Sequence, residues 1–240
     1  LAARNRAEPP LYHGDRMNLA LFDLDNTLIA GDSDYEWGQF IVEHGLVDRS
    51  AYEARNAQFH QQYIAGTLDI FEFLKFALAP LARRPRAELD SLHAEFMRER
   101  IAGMWLPAAQ ALVDRHRRAG DLCAVVTATN AFVTGPIVRK LGVAHMVATT
   151  PEQRDGNFTG EARGTPAFQA GKIERVEHWL ESLGLHWGSF ARSWFYSDSH
   201  NDLPLLEKVS NPVAVDPDPI LRQHALDAGW TILGLRDPAP

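Results

Sequence analysis

A single cysteine, Cys123, denies the chain an internal disulfide and the multi-cysteine ligand set of a structural zinc site. Set in an apolar run, it reads as a small buried filler, which suits a reducing compartment and an expected cytoplasmic location. Long hydrophobic runs are missing as well: nothing approaches the ~20 residues of a membrane span. Residues 1–16 are polar, carry Pro9-Pro10 and lack the apolar core of a secretion signal, so they read as an N-terminal extension outside the core. Positive charge is in short supply, with 24 Lys and Arg against 31 Asp and Glu and a net −7 when His is neutral. Neither nucleic acid nor an anionic membrane surface is expected as a partner. One basic run, Arg83-Arg84-Pro85-Arg86, is short enough to be a solvated loop entering a helix.

What the chain does have is an ordinary globular composition, 45% hydrophobic and 23% charged over 240 residues, enough for one large domain carrying an insertion. Short, nearly continuous apolar runs at 19–22, 122–126 and 194–196 suit strands buried on both faces. Shorter examples occur at 213–215 and 231–233. Helical patterns lie between them at 107–119, 132–141, 172–183 and 203–209, three of them stopped by Gly120, Gly142 and Gly184. The alternation predicts an α/β fold with a Rossmann-like, doubly wound parallel sheet. It is interrupted once. Residues 34–105 show helix-like spacing at 35–42, 51–65, 70–78 and 87–101 and no convincing strand, which predicts an inserted helical domain. The core would then comprise residues 17–33 and 106–240. Asp155-Gly156 marks a small hairpin turn.

Chemistry concentrates where strands end. Asp23-Leu24-Asp25-Asn26-Thr27 follows the first strand, and in open α/β sheets ligands bind beyond the carboxyl ends of strands. If the stretch stays extended, Asp23 and Asp25 share a face. Two carboxylates that close repel unless a proton or cation separates them, and a hard divalent ion such as Mg²⁺ is the usual partner beside phosphate. A plain strand-ending turn accounts for the pair equally well. Asp198-Ser199-His200-Asn201-Asp202 repeats the logic after a later strand, where helix capping is the alternative. Thr127 and Thr129 offer hydroxyls after the Val125-Val126 strand, with Asn130 behind them, and Lys172 opens a helix after Gly171.

Taken in order, these residues resemble the phosphatase branch of the haloacid dehalogenase-like hydrolases. Asp23-Leu-Asp-Asn-Thr27 matches the first motif, Thr127 the second, Lys172 the third, and Asp198 with Asp202 the fourth. The helical insertion resembles the cap of phosphoserine phosphatase and its relatives. The resemblance implies that Asp23 is a nucleophile forming an aspartyl-phosphate and that Asp25 is the general acid and base. It further implies that Mg²⁺ is held by Asp23, the backbone carbonyl of Asp25, and Asp198. Thr127, Lys172, Asn201 and backbone N–H groups after Asp23 would hold phosphate oxygens, and Asp202 would orient Lys172 or metal-bound water. Because Asp25 is present, dehalogenation is not expected.

The expected partner is a small-molecule phosphate ester, and the sequence says nothing of oligomeric state. Asp32, Asp34 and Trp37 are candidates for gripping its organic part, by ion pair and cation–π contact. Asp32 falls where phosphoserine phosphatases place a glutamate for the substrate amine, and Asp34 reads also as a helix N-cap with core-facing aromatics behind it. The stretch 66–77 lacks the arginine that relatives use for a substrate carboxylate, which favours an amino-alcohol phosphate. The motif wording resembles bacterial histidinol-phosphate phosphatases. Phosphoserine hydrolysis, phosphoryl transfer to a small alcohol, and a ligand-binding protein that kept the fold are the alternatives. His200 reads as an exposed loop residue.

Overall fold

A computed structural model describes residues 17–236, so the predicted extension at 1–16 lies outside the described residues. The first strand, β1 (Leu19–Phe22), is buried along its whole length at the centre of a seven-stranded sheet. Its partners are β2 (Leu122–Asn130) on one side and β5 (Ser193–Ser197) on the other, both parallel. Outward from β2 run β3 (His145–Arg154) and β4 (Asn157–Arg163); outward from β5 run β6 (Asn211–Val215) and β7 (Thr231–Leu233). Every neighbouring pair is parallel except the β3–β4 hairpin, which turns at Asp155-Gly156.

The apolar runs are continuous because both faces of this sheet are covered. Along β1 the pleat sends Ala20 and Phe22 into one core and Leu19 and Leu21 into another. The Leu19/Leu21 face is covered by α7 (Ala170–Ser182), α8 (Leu203–Leu206) and α9 (Pro219–Ala228). The Phe22 face carries α5 (Pro107–Arg118) and α6 (Ala131–Lys140), and its core runs on into the segment between β1 and β2. That segment contains α1 (Ser33–Glu43), α2 (Arg49–Ile64), α3 (Ile70–Leu78) and α4 (Arg86–Glu99), with single 3-10 turns at Ala79–Arg83 and Ile101–Met104. No helix among the described residues is long and apolar enough to cross a membrane.

Three of the helices between β1 and β2 start on an aspartate. Asp32, Asp48 and Asp69 accept backbone N–H groups of the first turns of α1, α2 and α3. The cap of α1 is therefore Asp32, not Asp34, which sits inside the first turn. Trp37 is a second correction. Its ring is 3% exposed and packs against Phe40, His93, Phe96 and Phe132, so it joins α1 to α4 and α6 instead of facing a ligand. His200 is a third. Its side chain is only 15% exposed and hydrogen-bonds Asp218 through Nδ1, at 2.8 Å. The helix expected at 203–209 ends at Leu206.

The entry into α7 is tight. Gln169 has φ 47°, and the N–H groups of Gly171 and Lys172 close back onto the Phe168 and Gln169 carbonyls. A Cβ at Gly171 would lie 2.3 Å from the Pro166 carbonyl oxygen, a backbone atom that cannot rotate away. Gly171→Ala is therefore expected to cost about 1–3 kcal/mol through overpacking. Urea unfolding of the variant checks it; a midpoint equal to the parent's would show that the loop yields freely.

Candidate active site

The carboxyl ends of β1, β2 and β5 bring the predicted residues to one rim. Asp23 follows β1 while still in register, its N–H donating to the Tyr196 carbonyl at 2.9 Å. Lys172, fully enclosed at the start of α7, reaches Asp23 Oδ1 at 2.8 Å and the Asp202 carboxylate at 2.7 Å. Ser197 donates a further 2.7 Å bond to Asp202. Thr27 stands between the two acidic turns. Its hydroxyl lies 3.3 Å from Asp23 Oδ2 and 3.1 Å from Asp198 Oδ1, and it accepts the Asp198 N–H at 3.1 Å. With one proton to give, it serves one carboxylate at a time.

Asp25 projects into the same cavity as Asp23 and is held from two sides. The Ser33 N–H donates to Oδ1 at 2.7 Å; the Thr129 and Thr127 hydroxyls donate to Oδ2 at 2.8 and 3.4 Å. Both threonines lie two residues apart near the end of β2, where its register against β3 shifts between Thr127 and Asn130.

Charge is unevenly matched here. Burial works against the Lys172 ammonium, yet Asp202 and Asp23 outweigh it and hold its pKa above the ordinary lysine range. Burial raises the Asp23 carboxyl, Lys172 pulls it back, and Asp202 and Asp25 push it up again, leaving it raised. Asp198 is pushed well up by burial, then by Asp23 and Asp202. Asp25 is raised to about 6 by enclosure and by Asp32, against the bonds from Ser33 and Thr129. One lysine thus faces several enclosed carboxylates, a distribution that favours an added cation.

The donor set fits a hard ion. Asp23 and Asp198 present carboxylate oxygens on either side of Thr27, where both could reach such an ion. Among the described residues no three His, Cys, Asp or Glu side chains form a metal cage. An ion that keeps several waters and substrate oxygens, as Mg²⁺ does, needs no such cage.

The cavity above the rim encloses about 630 Å³ of atom-free space, counting its mouth. Asp23, Asp25 and Thr127 form its floor, and α1–α3 its walls, through Asp32, Asp34, Tyr35, Phe59, Tyr63 and Phe73 among others. Among the described residues no lysine or arginine lines it, and His60 is the sole basic side chain there. His60 Nδ1 lies 3.5 Å from Asp32 and its ring 4.8 Å from that of Tyr35. The bond to Asp32 raises the His60 pKa against the effect of burial.

Asn201, expected from the resemblance to bind phosphate, does not line the cavity. Its amide donates to the Tyr63 carbonyl at 3.0 Å and accepts from Gln169 at 3.2 Å. Tyr63 was not foreseen. It lines the same cavity as Asp23 and Asp25, and burial, then the charges of Asp23, Asp198 and Asp202, drive its phenol well above the ordinary range. Nothing local in the 49–64 stretch marks it or His60, since α2 is polar over most of its length.

Comparison with known proteins gives the same picture. The sequence profile of the haloacid dehalogenase-like hydrolases matches residues 20–207. A protein named histidinol-phosphatase from Neisseria meningitidis serogroup C (strain 8013) is 46% identical over 220 residues, covering 91% of this chain and 99% of that protein. A protein named phosphoserine phosphatase from Mycobacterium tuberculosis (strain ATCC 25618 / H37Rv) is 33% identical over 98% of this chain and 75% of its own length. The crystal structure of a protein of unknown function from Bordetella pertussis Tohama I superposes with a TM-score of 0.87 at 47% identity, covering 91% of this chain and 99% of that one.

The raised acid at the rim has a measurable consequence. Asp25 binds its proton more tightly folded, at about 6, than at the ordinary carboxylate value of 3.8. Its contribution is complete below pH 3.8 and is lost as pH rises through 6. With divalent cations chelated, thermal stability should therefore carry a component that falls across that window and is weakened in Asp25→Asn. Identical pH profiles for the two proteins would contradict the assignment.

Proposed function

The chain belongs to the haloacid dehalogenase-like hydrolase family and is a phosphatase, and from that premise we propose that it hydrolyses histidinol phosphate through an aspartyl-phosphate on Asp23. The observation that carries the substrate reading is the lining of the cavity: acidic and aromatic, with no lysine or arginine. A substrate carboxylate would meet no basic side chain there except His60, which is already paired with Asp32, whereas an amine meets Asp32 and Asp34. Histidinol phosphate has the amine and lacks the carboxylate. The name of the 46%-identical relative supports the same choice.

In this reading residues 34–105 are a cap that selects the leaving group. The Asp23 carboxylate attacks phosphorus in line, a P–O bond to Asp23 forms, and the bond to the ester oxygen breaks. Asp25, protonated at that moment and held toward the cavity by Ser33 and Thr129, gives its proton to the departing alkoxide. The same carboxylate, now charged, takes a proton from the water that attacks the aspartyl-phosphate and releases inorganic phosphate. Its raised pKa suits both directions near neutral pH. Lys172 keeps Asp23 oriented and offsets charge, with Asp202 fixing the ammonium. Thr127 is placed to donate to a phosphate oxygen once its weak bond to Asp25 yields. Mg²⁺, held by Asp23, Asp198 and the Asp25 carbonyl, would supply neutralisation of the phosphate and attacking carboxylate.

Two measurements test the reading. Asp23→Asn should lower turnover of any phosphomonoester by about 10⁴-fold or more while the protein stays folded, and undiminished activity would rule out the nucleophile. Wild-type kcat/KM should favour histidinol phosphate over phosphoserine by about a hundredfold, since the latter leaves a carboxylate unpaired. A preference for phosphoserine would replace the substrate assignment.

A further inference from the structure

Two carboxylates stand ready for the substrate amine, Asp32 and Asp34, and they are not equivalent. Asp32 is already committed to the fold. Its Oδ1 accepts the Asp34 and Tyr35 N–H groups at 3.0 Å each, capping α1, and its Oδ2 faces His60 at 3.5 Å. Asp34 has no such commitments. Among the described residues its one hydrogen-bond donor is the Asn130 amide, at 3.4 Å from Oδ1, and it forms no ion pair, the one basic side chain lining the cavity, His60, being paired with Asp32. That amide is aimed at Asp34 by its own capping role, because Asn130 Oδ1 accepts the Phe132 and Val133 N–H groups at the start of α6.

The order of contacts along the end of β2 adds a geometric argument. Thr127 and Thr129 touch Asp25, and the next residue, Asn130, touches Asp34. The acid that protonates the leaving oxygen and the second carboxylate therefore lie side by side, held by successive residues of one strand. In an amino-alcohol phosphate the ammonium sits on the carbon next to the ester carbon. An ester oxygen at Asp25 places that ammonium one step further along the same wall.

We propose that Asp34 is the residue that binds the substrate ammonium and sets specificity for amine-bearing phosphate esters, with Asp32 and His60 forming a locked pair that shapes the wall around it. The inference rests on the histidinol phosphate reading and makes it more specific. Pairing with the substrate gives Asp34 the cation it lacks in the free protein, whereas recruiting Asp32 would set the ammonium against His60 at Oδ2 or crowd the capping bonds at Oδ1.

The test compares histidinol phosphate with imidazolylpropyl phosphate, the analogue without the amine. In the wild type the ratio of kcat/KM values should be about a hundredfold in favour of the amine. Asp34→Asn should bring it to within a few fold of one, acting mainly through KM. Asp32→Asn should keep most of the ratio and change the melting temperature little, since the amide oxygen can still cap α1. A ratio that survives in Asp34→Asn, or that collapses in Asp32→Asn alone, overturns the proposal. If histidinol phosphate is not turned over, the substrate reading falls by itself. The same ratio taken on phosphoethanolamine and n-propyl phosphate, which differ only in the ammonium, then decides the role of Asp34 by the same criteria.

Discussion

The Lys172 ammonium, clamped between Asp23 and Asp202, is the contact on which the rest of the molecule turns. It joins three stretches of chain that are far apart in sequence: the end of β1, the first turn of α7 and the turn after β5. A charge enclosed this deeply persists only if it is paired, and removing one partner of a buried pair generally costs about 3–5 kcal/mol. The tight entry to α7, with Gly171 pressed on the Pro166 carbonyl, serves that placement. Fixing the ammonium fixes Asp23 at the rim of the cavity. The clamp is only a partial neutralisation. Asp198 remains beyond it, its carboxyl pushed well up by burial and by the charges of Asp23 and Asp202.

The helices between β1 and β2 solve a different problem. They contribute apolar packing to the sheet through Trp37, Phe40 and Phe96, and polar and aromatic lining to the cavity through Asp34, Tyr35, Phe59 and Tyr63. One helix, α1, does both, because a 3.6-residue repeat sends Trp37 and Phe40 to the core while the first turn faces the cavity. The electrostatic character follows. The floor is rich in carboxylates, the walls add Asp32 and Asp34, and among the described residues no Lys or Arg lines the cavity, so its lining is predominantly acidic.

Most of the floor was legible because its residues sit at strand ends with a local signature. A buried apolar run followed by Asp-x-Asp, or a lysine just after a tight glycine, is readable without knowing what packs against it. β3 and β4 were harder to read, since the polar residues of the Thr149–Arg154 stretch break the apolar pattern that marks the other strands; only their turn, Asp155-Gly156, stood out. α9 was passed over although Asp218 and Pro219 form an ordinary helix start. Trp37 misled because an aromatic next to acidic residues looks the same in sequence whether it faces a ligand or a core. Its neighbours Phe96 and Phe132 come from other elements and decide the matter only in three dimensions. Tyr63 and His60 had no signature at all, since they matter only through where α2 is carried.

Asn201 shows why motif position and role can separate. It sits between Ser199, whose hydroxyl accepts its N–H, and Asp202, which holds Lys172, so its backbone belongs to the reactive turn. Its side chain instead grips the last turn of α2 through the Tyr63 carbonyl. Beside it, Gly66 has φ 68° and would place a Cβ 2.8 Å from His200 Nε2, so the chain leaving α2 lies directly on the same turn. His200 cannot retreat, because Asp218 holds both its N–H and its ring. The turn that orients the lysine and the helix that carries Tyr63 are therefore one mechanical unit. The wall that α2 gives the cavity is thereby tied to the turn that holds Lys172, and through Lys172 to Asp23.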